Sequence, residues 1–134
     1  MKHYFVSAAI IFVESKVFCV QRGPSKFDYI SHKYEFPGGK IEEGETPENA
    51  LIREIKEELN LELENLKFLS TINHQYPDFK ITMHGFLCNT VDFSKVELSE
   101  HLGYLLLNKN ELSKLDWAAA DIPLVELLIQ DLDE

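Results

Sequence analysis

Between Gly38 and Leu63 the chain reads GGKIEEGETPENALIREIKEELNLEL, eight glutamates against one arginine and two lysines. This stretch constrains the fold more than any other, because it reads as one glycine-led turn followed by one helix. Pro37-Gly38-Gly39 breaks the short strand before it. Thr46-Pro47 then supplies a helix start, with threonine as N-cap and proline at the first helical position. The spacing predicts a helix to about Leu59, with Ala50, Ile52, Ile55 and Leu59 turned toward a core. The other side of that helix is acidic. Glu54, Glu57 and Glu58 stand at i, i+3 and i+4, so three carboxylates project from one face.

Three like charges this close repel one another and raise one another's pKa. Arg53 can pair with Glu57 one turn on, but a single guanidinium does not neutralise three carboxylates. Two readings stand side by side. The face is either a solvated surface laced with i,i+4 pairs or a cation site. Hard divalent ions such as Mg²⁺ take carboxylate and carbonyl oxygens while keeping several waters. An acidic face beside a turn with free carbonyls suits such an ion, and Mn²⁺ accepts the same oxygen-rich set.

The rest of the chain supplies the frame. Residues 4–13 and 17–21 are rich in Val, Ile, Phe and Ala and flank Glu14-Ser15-Lys16, which predicts a β-hairpin. Residues 23–33 are polar and read as a loop, and Tyr34-Glu35-Phe36 as a short strand. Residues 66–76 and 80–91 read as two strands joined at Pro77-Asp78. A loop carrying Glu97 and Glu100 leads to the apolar run 104–107. A short helix is expected over 108–115 and a last one from Asp121 through Leu132. With no repeat and no linker, this order fits a single α+β domain over residues 1–134, a mixed sheet sandwiched between helices.

The net charge of −10 argues against a nucleic-acid polymer or an anionic membrane as partner. A small polyanion remains admissible, since a divalent cation inverts the sign locally. The N-terminal apolar run is interrupted at Glu14 and resumes as VFCVQR, the behaviour of a buried strand and not of a signal peptide. No run approaches the roughly 18 apolar residues of a membrane helix. Cys19 and Cys88 show no CxxC spacing and read as buried free thiols. A cytoplasmic protein, monomeric or weakly dimeric, is the expectation.

The acidic stretch resembles the Nudix box, G-x5-E-x7-R-E-U-x-E-E-x-G-U with U a bulky aliphatic residue. Gly39, Glu45, Arg53, Glu54, Ile55, Glu57, Glu58 and Leu61 fall in register, and only Asn60 departs, standing where the pattern has glycine. That position closes the helix in the left-handed region, where asparagine is the usual substitute. The resemblance implies a Nudix-type α/β/α sandwich and hydrolysis of a nucleoside diphosphate linked to a further group. It implies divalent metal on Glu57 and Glu58, Glu54 binding metal or activating water, the Gly38 carbonyl as a further ligand, and Arg53 and Glu45 orienting the acidic face.

Beyond the box, VFCVQR, YEFPGGKIEEGETPENA and YPDFKITMHGF are similar to the MutT-type branch, which cleaves nucleoside triphosphates to monophosphate and pyrophosphate. SEHLGYLLL is similar to the loop that brings one more acidic ligand, so Glu100 is either that ligand or a surface acid. AAADIPLVELL is similar to the segment that meets the nucleobase, so Asp121 reads the base, caps the last helix, or does both. Arg22 meets phosphate or base, or is an exposed strand-end cation. Tyr76 stacks on the base or is a half-buried strand tyrosine, and Lys40 meets phosphate. An ionised Asp121 only accepts hydrogen bonds. It would favour cytosine or guanine-type bases, oxidised guanine included, over thymine. Pro77 lies sixteen residues past Leu61, a spacing similar to that of the ADP-ribose branch, so ADP-ribose or another nucleoside diphosphate derivative is the alternative substrate. A nucleotide-binding domain without hydrolysis is the alternative class.

Overall fold

The N-terminal apolar runs become two strands buried on both faces. The computed structural model describes residues 1–130. Strand β1 (Lys2–Val13) turns at Glu14-Ser15 into β2 (Lys16–Arg22). Both turn residues have positive φ, 51° and 71°, the twist that a two-residue hairpin loop needs. In β1, Ala8 and Ile10 face one layer while Ala9 and Ile11 face the other; in β2, Val17 and Cys19 oppose Phe18 and Val20. Such unbroken apolar runs belong to a sheet covered on both sides.

The remaining elements are β3 (Tyr34–Glu35), β4 (Gly38–Lys40), α1 (Pro47–Leu59), β5 (Leu63–Gln75), β6 (Phe79–Thr90), β7 (His101–Leu107) and α2 (Ile122–Gln130). Short 3₁₀ turns cover Phe93–Lys95, Lys109–Lys114 and Ala119–Asp121. The last helix was expected to reach Leu132, which lies outside the described residues. The seven strands form one mixed sheet, with β1 parallel to β6 and the other pairs antiparallel. Helix α1 covers one face through Leu51, Ile55 and Leu59, and α2 covers the other through Leu124, Val125 and Leu128. The α+β sandwich expected from the sequence is the observed architecture. Among the described residues no helix is long and apolar enough to cross a membrane.

Two details differ from expectation. Gly38 and Gly39 lie in strand β4, not in a turn, with Ser7 opposite Gly39 and Ala8 opposite Gly38. A Cβ on Gly38 would run into the Ser7 carbonyl, so glycine serves close strand approach here. Ile52 is 41 % exposed, and fully buried Leu51 takes its place in the core. Leu51, Ile55 and Leu59 repeat every four residues from the Pro47 start, and Ile52 falls one step round the helix from that stripe.

One topological feature positions the site. Strands β1 and β2 pair only beside their turn, at Phe12–Val17 and Val13–Lys16. Beyond that they part, with β3 bonded to β2 and β4 to β1. The chain from Tyr34 to Lys40 therefore crosses a split in the sheet, and the cavities described next open there.

Candidate active site

Arg53 organises the acidic end. Its Nε and Nη2 donate to the two carboxylate oxygens of Glu45 at 2.8 and 2.9 Å, and Nη1 reaches Glu54 at 2.9 Å and Glu57 at 3.3 Å. The fork against Glu45 is the bidentate geometry that favours arginine over lysine. Those bonds, with a backbone N–H from Glu42, hold the Glu45 carboxyl down at about 2 and raise the arginine in turn. Nη2 also donates to the Lys40 carbonyl at 3.1 Å, tying α1 to β4. Glu54 lies flat against Gly39, where any Cβ would collide with its carboxyl group. The glycine of the motif is thus a steric requirement of the glutamate fifteen residues later.

Glu100 reaches this face through the end of α1. The last helical carbonyls lack intrahelical partners. Glu97 N–H donates to the Leu59 carbonyl at 2.9 Å and Ser99 Oγ to the Glu58 carbonyl at 2.8 Å. Asn60, left-handed at φ 56° as expected, also donates from Nδ2 to the Lys95 carbonyl at 3.3 Å. The loop is stitched to the helix, and Glu100 is brought opposite Glu58. Burial first, then the Glu100 and Glu54 carboxylates, push Glu58 up to about 8.

A polar cavity of about 270 Å³ lies between them, lined by Arg22, Glu35, Gly38, Glu58, Glu100 and His101 among others. Past Arg22 the cleft continues into two further cavities, also in contact with Arg22. A deep one of about 120 Å³ is bounded by Val6, Phe36, Met83 and Asp121. A wider one of about 350 Å³ is bounded by Tyr4, Phe27 and Phe79, with Lys26 and Lys40 at its walls. The Lys40 ammonium stands 4.5 Å from the centre of the Tyr4 ring and the Lys26 ammonium 5.0 Å from that of Phe27. The cleft therefore runs from an acidic end to an aromatic, cation-rimmed end, with Arg22 at the junction.

The NUDIX domain family matches residues 3–128. The chain belongs to that family. It is 39 % identical over 102 residues to an 8-oxo-dGTP diphosphatase of Proteus vulgaris, covering 76 % of this chain and 87 % of that one. It is 32 % identical over 127 residues to a CTP pyrophosphohydrolase of Escherichia coli, covering 94 % and 91 %. The solution structure of a MutT protein of the Nudix hydrolase family from methicillin-resistant Staphylococcus aureus superposes with a TM-score of 0.74 at 37 % identity, over 98 % and 99 % of the two chains. This chain is a Nudix hydrolase of the MutT type.

Nudix hydrolases use a divalent metal, and the donor chemistry here fits one. Glu54, Glu57, Glu58, Glu100 and the Gly38 carbonyl offer only hard oxygens. The half-buried Glu58 carboxyl, pushed up by burial and by the Glu100 and Glu54 carboxylates, marks a crowded carboxylate cluster that a cation would suit. Among the described residues no three His, Cys, Asp or Glu side chains already converge as a formed cage. Arg53 draws Glu54 and Glu57 to itself.

At the other end of this Nudix fold, Asp121 and Tyr76 differ from expectation. Asp121 is buried, and its carboxyl accepts the Phe36 N–H at 2.9 Å instead of capping α2. Burial first, then the Glu35 carboxylate, raise it well above the usual carboxylate range. That burial favours the protonated form, whereas the expected reading of the base took an ionised carboxylate. Tyr76 is also buried: its hydroxyl accepts the Ala120 N–H at 2.9 Å and its ring packs on Tyr29 and Phe79. None of the three cavities is lined by it, so it backs the aromatic wall and Phe79 forms the surface.

Sequence reasoning missed Glu35 and His101. Glu35 accepts from Arg22 Nη1 at 3.0 Å and from His101 Nε2 at 3.2 Å. The only signal was position, Glu35 three residues before the first glycine and His101 directly after Glu100.

Proposed function

We propose that this protein hydrolyses nucleoside or deoxynucleoside triphosphates to monophosphate and pyrophosphate with Mg²⁺, Mn²⁺ substituting. The observation that carries this reading is the continuity of the cleft: a cluster of carboxylates and an aromatic cavity share one wall residue, Arg22. The nucleoside occupies the aromatic end and the phosphates extend over Arg22 to the carboxylates. A bound divalent ion polarises phosphoryl oxygens and lowers the pKa of its water. Glu57, Glu58, Glu100 and the Gly38 carbonyl would hold it. Glu54, seated on Gly39 and oriented by Arg53, accepts the proton of the attacking water or completes the ligand set. Arg53 and Glu45 keep that face in place. Arg22 and Lys40 offset phosphate charge, which is most of what phosphoryl transfer asks of a protein.

The base meets Asp121 and Phe36. A neutral carboxyl offers one O–H donor and one acceptor, matching the N3 and amino group of cytosine or the N1–H and O6 of guanine and its oxidised form. The relatives named for CTP and 8-oxo-dGTP support both. A hydrolysis panel of normal and oxidised triphosphates plus ADP-ribose, with products identified in Mg²⁺ and in EDTA, tests the reading. Monophosphate plus pyrophosphate is expected. AMP plus ribose phosphate from ADP-ribose as the dominant activity would overturn it.

A further inference from the structure

His101 has no part in the chemistry above, yet it is buried at the edge of the acidic cavity with 6 % of its side chain exposed. Its Nε2 faces Glu35 Oε2 at 3.2 Å, while Nδ1 is buried without any partner. A histidine kept only for packing would normally satisfy both nitrogens or give way to an apolar residue. This one finds no partner for Nδ1 among the described residues and holds one oxygen of one carboxylate with Nε2. Facing a carboxylate, Nε2 carries the proton and donates.

The other oxygen of that carboxylate, Oε1, takes Nη1 of Arg22 at 3.0 Å. The strands set up this sharing. His101 opens β7 and pairs with Arg22 of β2 at an irregularity between Gln21 and Arg22, while Glu35 reaches both from β3. Arginine and a carboxylate left alone form a two-pronged pair, as Arg53 and Glu45 do in this same molecule. Arg22 meets Glu35 through Oε1 alone, and His101 holds the other oxygen, Oε2.

We infer that His101 is a positioning residue: by holding Oε2 of Glu35 it orients that carboxylate so that Arg22 meets it with one prong, leaving the remaining guanidinium donors for the substrate phosphate next to the nucleoside. Arg22 lines the acidic cavity and both nucleoside-side cavities, so those donors stand where that phosphate passes. The inference rests on the cleft orientation given under the proposed function, but it does not depend on which triphosphate is cleaved.

The test measures binding of CMP and 8-oxo-dGMP, each against its parent nucleoside, by calorimetry in EDTA on the full chain. The monophosphate-to-nucleoside affinity ratio isolates the phosphate contact. His101→Phe should reduce that ratio about five- to tenfold while leaving nucleoside affinity unchanged. His101→Gln, whose amide nitrogen reaches the same oxygen, should restore it. Arg22→Ala should reduce it at least as far, and adding His101→Phe to Arg22→Ala should change nothing more. A ratio unchanged in His101→Phe, losses that add in the double variant, or no preference for monophosphate in the parent protein would each overturn the inference. The parent chain cleaving no triphosphate would refute the proposed function but leave these ratios readable. Should His101→Phe fail to fold, His101→Gln against Arg22→Ala decides: a Gln variant as weak as the Ala variant overturns it.

Discussion

The two ends of the cleft each bury a carboxyl group and handle it differently. At the acidic end Glu58 is pushed up to about 8 by burial and by Glu100 and Glu54, and a cation can relieve it because the cavity is open and lined with further oxygens. At the other end Asp121 is raised well above its usual range by burial and by Glu35, which favours keeping its proton although the Phe36 N–H and Arg22 offset part of the rise. Under the proposed function the first end takes the metal and the second the base. Burial of the same functional group yields two chemistries, according to what else faces it.

The largest expected effect is at the acidic end. Glu54→Gln should lower kcat by about two to four orders of magnitude with an unchanged melting temperature, since the amide keeps the shape that fits Gly39. A loss under tenfold in Mg²⁺ would remove Glu54 from the chemistry.

At the nucleoside end the prediction is a contrast between two substitutions. Asp121→Ala leaves the buried Phe36 N–H without an acceptor, so it should destabilise by about 1–3 kcal/mol and flatten the ranking of bases. Asp121→Asn keeps a donor and an acceptor and should stay within about threefold of the parent on its best substrate. Equal damage by both would mean that the carboxyl is ionised after all, and the contrast between the two ends would fail.

The third prediction tests Glu58. Its folded pKa of about 8 lies above the ordinary value of 4.5, so the folded state binds the proton more tightly than the unfolded chain. Its contribution to stability is complete below pH 4.5 and is lost as pH rises toward 8. In EDTA the melting temperature should therefore fall between about pH 5 and 8, and millimolar Mg²⁺ should restore it by binding the folded state alone. Glu45 acts oppositely, its contribution lost as pH falls from 4.5 toward 2. A metal-free melting temperature that rises from pH 5 to 8 would sink this account of Glu58.

The smallest effect concerns the joint between α1 and the Glu100 loop. Asn60→Gly gains from relief of the left-handed backbone, worth roughly 1 kcal/mol. It loses the Asn60 Nδ2 bond to the Lys95 carbonyl and the contact from Lys56 Nζ, each at 3.3 Å. The two should nearly cancel in chemical denaturation. Stabilisation by the full amount would show that the side-chain stitch contributes nothing to holding Glu100.

The legibility of the two ends differed for a physical reason. Glu45, Arg53, Glu54, Glu57 and Glu58 share one turn and one helix, so their relations follow from helical periodicity and could be read along the chain. Sequence alone also determined the helix start at Thr46-Pro47, the left-handed Asn60, the terminal hairpin and the layered class, because caps, turns and apolar runs are short-range effects. The nucleoside end draws on β1, β2, β3, β6 and the turn before α2, which meet only because β1 and β2 part and the Tyr34–Lys40 segment crosses the split. The Asp121 bond to Phe36 N–H, the burial of Asp121, the retreat of Tyr76 behind Phe79 and the sharing of Glu35 between Arg22 and His101 all depend on segments distant in sequence. Periodicity carries no information about them, since a strand's register with a remote partner is decided by packing of the whole sheet. Tertiary structure decided those, and with them which groups face the cleft.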